Sequence, residues 1–254
     1  LKTFKSLIIS WKLFRISSHL ISGLFLTLLF VRNGIHNSST ASRLFIWWNN
    51  RLCHIFKAHI FVHGEMNKQA TLYVMNHISW FDIPVLASQQ PLHFLSKAEV
   101  KSWPLIGWFA HRAGTLFIKR GETGAAQNSL SEITQCLKSG GSVVVFPEGT
   151  TTDGSIVRNF HGRLLQAAIN AQVQIQPVAL RYPYKGGINP LVPYIDDLSF
   201  IDSVFGLTKS KPLNAELHFL KPIDDHLKQA SDISNKQLAQ LARQAIAKQL
   251  EIKI

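Results

Sequence analysis

The residues whose types and spacing could do chemistry begin with Asn76-His77-Ile78-Ser79-Trp80-Phe81-Asp82. On one continuous helix His77 and Asp82 would lie about 140° apart around the axis, so they cannot pair as ordinary helical neighbours. Across a strand-to-helix turn they can meet. A carboxylate that holds one imidazole nitrogen leaves the other facing a cleft, which is the basic part of a general-base site. Two further polar corners follow short apolar runs. Leu116-Phe117-Ile118 leads into Lys119-Arg120-Gly121, a cationic corner suited to a phosphate or carboxylate. Val143-Val144-Val145-Phe146 leads into Pro147-Glu148-Gly149-Thr150, where a carboxylate can accept from substrate hydroxyls and free backbone N–H groups can face an anion. Taken singly, His77 is one of 11 histidines, Asp82 a helix N-terminal carboxylate, Arg120 a surface arginine and Glu148 a turn residue. Their joint arrangement carries the signal.

Positioning such corners takes strands that end beside one another. Leu72 to Met75 alternates as a short buried strand stopping at Asn76-His77, and a helix should follow with Ser79 as N-cap, Asp82 in the capping-box position and Pro84 in the first turn. Beyond Ile60 the pattern predicts strands at 60–62, 72–75, 92–95, 115–118, 142–146, 173–180 and 215–220, and helices near 81–87, 104–111, 124–138, 162–170 and 235–250. Such alternation argues for an α/β domain with a largely parallel central sheet covered by helices, in which sites form at strand ends. We divide the chain into an N-terminal pair of membrane-associating helices, 1–58, and one catalytic domain, 59–254.

The net charge is +12, and its placement says more than its size. From Leu1 to Gly64 there is no Asp or Glu, while Lys2, Lys5, Lys12, Arg15, Arg32, Arg43, Arg51 and Lys57 interleave with Trp11, Phe14, Phe25, Phe30, Phe45, Trp47, Trp48 and Phe56. Cations flanking large apolar groups suit an anionic membrane surface. Nucleic acid is the competing partner for a basic chain, but it needs basic groups on a polar face. Phe4, Leu7, Trp11 and Phe14 describe an amphipathic helix, and Ile16 to Val31 is a separate charge-free run, short of the roughly 20 residues that cross a bilayer. A retained anchor fits better than a cleaved signal, because Arg32 follows the apolar run and the small residues Ser39 and Ala41 lie too far beyond it. Phe45, Trp48, Leu52 and Ile55 mark a second helix with an apolar stripe, packed on the domain or on a membrane. Cys53 and Cys136 lack metal or redox spacing and imply a reducing compartment.

Several chemistries lack their parts. Gly149 to Ser155 has the glycine spacing of a P-loop, but Ser155 stands where the lysine belongs. No G-x-S-x-G elbow exists. His54, His59 and His63 straddle a helix-to-strand change without an acidic or cysteine partner, so no metal site is expected.

With these residues in view, the chain resembles the 1-acylglycerol-3-phosphate acyltransferase family of glycerolipid acyltransferases. Its N-H-x-x-x-x-D block is matched by Asn76 to Asp82, and its apolar strand ending in Arg by Gly114 to Arg120. F-P-E-G-T stands unchanged at Phe146 to Thr150, and a Pro-containing apolar strand is matched by Val173 to Leu180 with Pro177. The resemblance implies acyl transfer from a thioester of coenzyme A or acyl carrier protein to a lysophospholipid hydroxyl, without a cofactor, at the cytoplasmic face of a membrane. In that scheme His77 is the base and Asp82 fixes its tautomer. Arg120 holds the acceptor phosphate with Lys119 or Lys97 as auxiliaries, Glu148 orients the glycerol hydroxyl, and amides around Gly149 and Thr150 are one oxyanion candidate. Many members carry Asp where Lys119 stands and Arg where Thr151 stands. The Glu-Gly-Thr-Thr-Thr-Asp-Gly variant at Glu148 to Gly154, together with Tyr194-Ile195-Asp196-Asp197, resembles members that acylate lyso-ornithine lipid and also occurs in lysophosphatidate acyltransferases, so lyso-ornithine lipid stands as the alternative to 1-acylglycerol-3-phosphate. A membrane-binding homologue without activity is the alternative of another class.

Overall fold

The computed structural model describes residues 2–31, 35, 38–119, 124–209, 212–224, 227 and 233–253, and of 2–9 and 125–126 the backbone alone. Its centre is a seven-stranded sheet made of β1 (Ala58–His63), β2 (Thr71–Met75), β3 (His93–Lys97), β4 (Leu116–Ile118), β5 (Val143–Val145), β6 (Gln174–Arg181) and a last strand, Leu213–Phe219. A two-residue hairpin intervenes, β7 (Pro183–Tyr184) with β8 (Gly187–Ile188), so the last strand is β9. The spatial order is β1-β9-β6-β2-β5-β3-β4. β6, β2, β5, β3 and β4 run parallel, and β9 pairs antiparallel with β6 and parallel with β1. All seven strands anticipated from the pattern are present, and the largely parallel sheet is as expected.

The helices are α1 (Lys2–Phe30), α2 (Ser39–Ile55), α3 (Asp82–Ala87), α4 (Ile106–Arg112), α5 (Ala125–Lys138), α6 (Gln166–Ala171), α7 (Phe200–Lys209) and α8 (Asn235–Leu250). Strand β2 is buried along its whole length because helices cover both sheet faces, and its alternate residues serve different layers. Tyr73 and Met75 join Val144, Leu180 and Leu217 against Cys53, Leu86 and Leu207 of α2, α3 and α7. Leu72 and Val74 join Val143 and Ile175 against Ile133, Ala168 and Leu238 of α5, α6 and α8.

Several elements depart from the expected pattern. The N-terminal amphipathic segment and the apolar run form one helix, since no Gly or Pro separates Phe14 from Ile16; over Ser10–Phe30 this helix is long and apolar enough to cross a membrane. Helix α2 is capped by Ser38, whose hydroxyl accepts from Ala41 N at 3.0 Å, and it lies along α1. There Trp48 stacks on His19 with ring centroids 4.3 Å apart. Ser79 does not cap α3: Phe81 occupies that position, and the helix opens on Asp82 itself. A 3₁₀ turn, Gly162–Leu165, precedes α6, where one longer helix was expected. Helix α7 was not anticipated, because Ser203, Gly206 and Thr208 dilute the apolar spacing of Phe200, Val204 and Leu207.

The junction of β1 with β9 depends on Gly64. Its φ is +76°, and a Cβ built there would stand 2.1 Å from the Phe219 carbonyl oxygen. Backbone cannot yield as a side chain tip does, so Gly64→Ala combines left-handed strain with a steric clash. A loss of about 1–3 kcal/mol or more is expected in urea unfolding.

Candidate functional site

The site begins where β2 runs out of backbone partners. Asn76 is buried, and its side-chain amide replaces the next rung of the ladder: Nδ2 donates to Leu180 O at 2.9 Å and Oδ1 accepts from Leu180 N at 2.8 Å. With the side chain bound to β6, the main chain is released to turn upward at His77. Two other loops hold the turn. His77 O accepts from Thr152 N at 2.9 Å, and Ile78 O accepts from Tyr194 N at 2.9 Å.

Asp82 sits at 0% exposure at the start of α3, and its Oδ2 accepts from Ile78 N (2.8 Å), Ser79 N (3.0 Å) and His77 Nδ1 (2.8 Å). Its Oδ1 accepts from the Tyr182 hydroxyl at 2.8 Å. The two amides and the helix N-terminus stabilise the carboxylate, and a carboxylate can only accept. Nδ1 of His77 therefore carries its proton, and Nε2 presents a lone pair. The imidazole stacks on Phe146, centroids 3.9 Å apart and planes at 19°, which sets the ring plane; 20% of the side chain is exposed. Tyr182 has no motif to announce it. It is buried just beyond β6, and burial first, then the adjacent Asp82 charge, pushes its hydroxyl well above the usual phenol range, keeping it a donor.

Glu148 comes to the same place, but by a different use of its carboxylate. Oε1 accepts from His77 N at 2.8 Å and Oε2 from Arg158 N at 3.0 Å, and the residue is buried. Burial pushes its carboxyl up, opposed by the N–H bonds from Arg158 and His77. Its oxygens thus hold two loops rather than opening to a cleft. Gly149 takes φ +72° and donates its N–H to Phe146 O at 3.1 Å inside the turn, so that amide is engaged in the turn itself. Thr150 stands exposed on the rim.

The remaining anticipated residues are cations. Lys97 ends β3 opposite Ile118 of β4, and Lys119 follows directly, so two exposed lysines share the sheet edge that carries His77. Arg120 lies outside the described residues. Burial pushes the Cys53 thiol up to about 12 and the Cys136 thiol to about 11, so neither is a thiolate nucleophile at neutral pH. Among the described residues no group of three or more His, Cys, Asp or Glu could hold a metal ion.

A surface cavity of about 680 Å³ flanks the turn. Asp153, Asp196 and Asp197 line it with Ile188, Ile195 and Leu198. Another, of about 510 Å³, lies at the opposite ends of β2 and β6 beside Asn67, Gln174 and Gln176.

Comparison with known proteins bears on this arrangement. The family model described as acyltransferase matches residues 59–181. The lyso-ornithine lipid O-acyltransferase of Pseudomonas aeruginosa is 40% identical over 204 residues, covering 80% of this chain and 77% of that one. A 1-acyl-sn-glycerol-3-phosphate acyltransferase of Neisseria gonorrhoeae is 32% identical over 149 residues, 59% of this chain and 58% of its own. The crystal structure of PlsC, the 1-acyl-sn-glycerophosphate acyltransferase of Thermotoga maritima, superimposes with a TM-score of 0.71 over 98% of this chain and 96% of that one, at 19% identity; the fold is shared.

The bond from Tyr182 to Asp82 is open to a direct test. Tyr182→Phe keeps the ring and removes one donor from a buried carboxylate, so unfolding free energy should fall by about 1.5–3 kcal/mol in urea titration, with the native circular dichroism unchanged.

Proposed function

This chain belongs to the acyltransferase family, and we propose that it is a membrane-bound lysolipid O-acyltransferase in which His77 acts as general base. The observation that carries the reading is the buried Tyr182–Asp82–His77 chain, which leaves Nε2 of a partly exposed imidazole as the proton acceptor. Nε2 takes the acceptor's hydroxyl proton as the oxygen attacks the thioester carbonyl. The tetrahedral adduct collapses by breaking the C–S bond, and the imidazolium returns the proton to the departing thiolate. Asp82 stabilises the imidazolium during the interval, and no acyl-enzyme forms. Glu148 positions His77 through the backbone N–H.

For the acceptor we favour lyso-ornithine lipid over 1-acylglycerol-3-phosphate. The relative with 40% identity is named for the former. In addition, three carboxylates line the cavity beside the catalytic turn with apolar side chains between them. Such a lining attracts the ammonium of an ornithine headgroup and repels a phosphate. Lys97, Lys119 and Arg120 then serve the anionic part of the reaction, the phosphates of coenzyme A or of the acyl carrier's pantetheine arm. The 1-acylglycerol-3-phosphate reading assigns the same cations to the acceptor's phosphate. The acid-free, basic N-terminal region favours an anionic leaflet, and the free thiols and thioester donor favour its cytoplasmic side.

His77→Ala should lower turnover by at least about 10²-fold while the protein stays folded and membrane-bound. Retention of more than about a tenth of the rate would overturn the assignment of the base. With labelled acyl-CoA or acyl-ACP and a panel of lysolipids, lyso-ornithine lipid should be the preferred acceptor. Asp196→Asn combined with Asp197→Asn should raise its KM several-fold and leave that of 1-acylglycerol-3-phosphate unchanged or lower. An equal effect on both acceptors would remove the cavity from headgroup recognition.

A further inference from the structure

Helix α7 is amphipathic in a way that the chemistry above does not use. Ser203, Leu207 and Thr208 are buried, whereas Ile201, Phe205 and Lys209, each four residues apart, form an outward stripe. Ile201 is 66% exposed and Phe205 38%, and Leu198 just ahead of the helix is also exposed. An isolated exposed leucine is ordinary; an aligned apolar stripe ending in a cation is less so.

The inner face of α7 is fastened to two other parts of the molecule. Trp80, inside the turn between His77 and Asp82, donates from Nε1 to Ser203 Oγ at 2.9 Å. Phe200 packs edge-on to Trp80 at 5.2 Å and against Trp103 at 5.1 Å. Toward the N-terminus, the buried Lys12 of α1 donates from Nζ to Thr208 O at 2.7 Å. Trp11 and Phe14, on either side of Lys12 in α1, are exposed and stack with centroids 5.6 Å apart. One short helix thus joins the catalytic turn to the apolar N-terminal helix, and its outer stripe has no partner among the described residues.

We propose that the Leu198–Ile201–Phe205–Lys209 stripe of α7 is a second membrane contact, which seats the catalytic turn on an anionic bilayer so that a lipid acceptor reaches His77 from the membrane surface. The occupant is a bilayer for two reasons. The stripe adjoins α1, which is long and apolar enough to cross a membrane from Ser10 to Phe30. It also carries Lys209 beside a region, Leu1 to Gly64, that is free of acidic residues, so its charge complements anionic headgroups. Of the acidic neighbours of the stripe, Asp202 is engaged at the helix start by Ser199 Oγ at 2.6 Å, and Asp196 and Asp197, just ahead of Leu198, line the adjoining cavity. The inference rests on the lysolipid acyltransferase reading for its kinetic consequence but not for the contact itself.

Two measurements on the full chain test it. Phe205→Glu should lower the acylation rate at least about tenfold when the lysolipid is embedded in phosphatidylglycerol-containing vesicles. In detergent micelles, where no flat surface must be matched, the rate should stay within about twofold of the parent. Separately, Ile201→Cys in a Cys136→Ser background, labelled with an environment-sensitive fluorophore, should be quenched by nitroxide lipids in the same vesicles. Equal rates in both media, or a label left unquenched, would overturn the contact, as would shielding of the label without vesicles together with a doubled mass in light scattering, which would point to self-association. If the parent acylates no lysolipid in either medium, the catalytic reading fails, while the quenching result still decides the membrane contact.

Discussion

Asp82 is a charge taken out of water at the first residue of a helix, and it is tolerated there because four donors converge on it: two backbone amides, the Tyr182 hydroxyl and the imidazole of His77. A buried carboxylate without such partners would shift toward its neutral form or destabilise the fold. Satisfying this one group therefore dictates much else. The chain from Ile78 to Asp82 must curl so that its amides point inward, β6 must end where Tyr182 can reach, and the histidine must offer Nδ1 rather than Nε2. The tautomer needed for a base is a by-product of solvating the aspartate.

Around that centre the polar residues divide the work of holding loops. Asn76 continues the ladder to β6 by side chain when β2 stops. Glu148 bonds the amides of His77 and Arg158, tying the turn after β5 to the turn after β2. Thr152 and Tyr194 close the outer side through backbone bonds. Phe146 supplies the flat surface on which the imidazole lies. Each contact is local, but together they place a flexible ring in one plane with one nitrogen outward, which is the preorganisation that proton transfer requires.

The same economy of connection extends outward. Trp80 belongs to the His77–Asp82 turn in sequence and to the α7 interface in space, so the placement of α7, and through Lys12 that of α1, is tied to where His77 stands. A lipid substrate confined to a plane makes that coupling meaningful: the hydroxyl's height above the membrane is set by the lipid, and the protein must match it.

What the sequence by itself determined were the features that rest on local pattern. Short apolar runs disclosed all seven strands of the sheet, the H-x-x-x-x-D spacing disclosed the His77–Asp82 pair, and the apolar N-terminal stretch disclosed a helix long and apolar enough to cross a membrane. Local pattern failed where partners come from far along the chain. Ser79 looked like a cap, yet its buried hydroxyl bonds no amide and α3 starts after Phe81; of the expected capping box only the bond from the Ser79 amide to the Asp82 carboxylate is made. Glu148 turns its oxygens to two loops, bonds that no spacing announces. Tyr182, one hundred residues from Asp82, has no spacing rule to announce it. Helix α7 is held by Trp80 and Lys12 more than by its own propensity. The junction of β1 with β9 likewise needed the close approach at Gly64. Tertiary structure decided these because hydrogen-bond satisfaction of buried groups is settled by distance in space, on which sequence separation is silent.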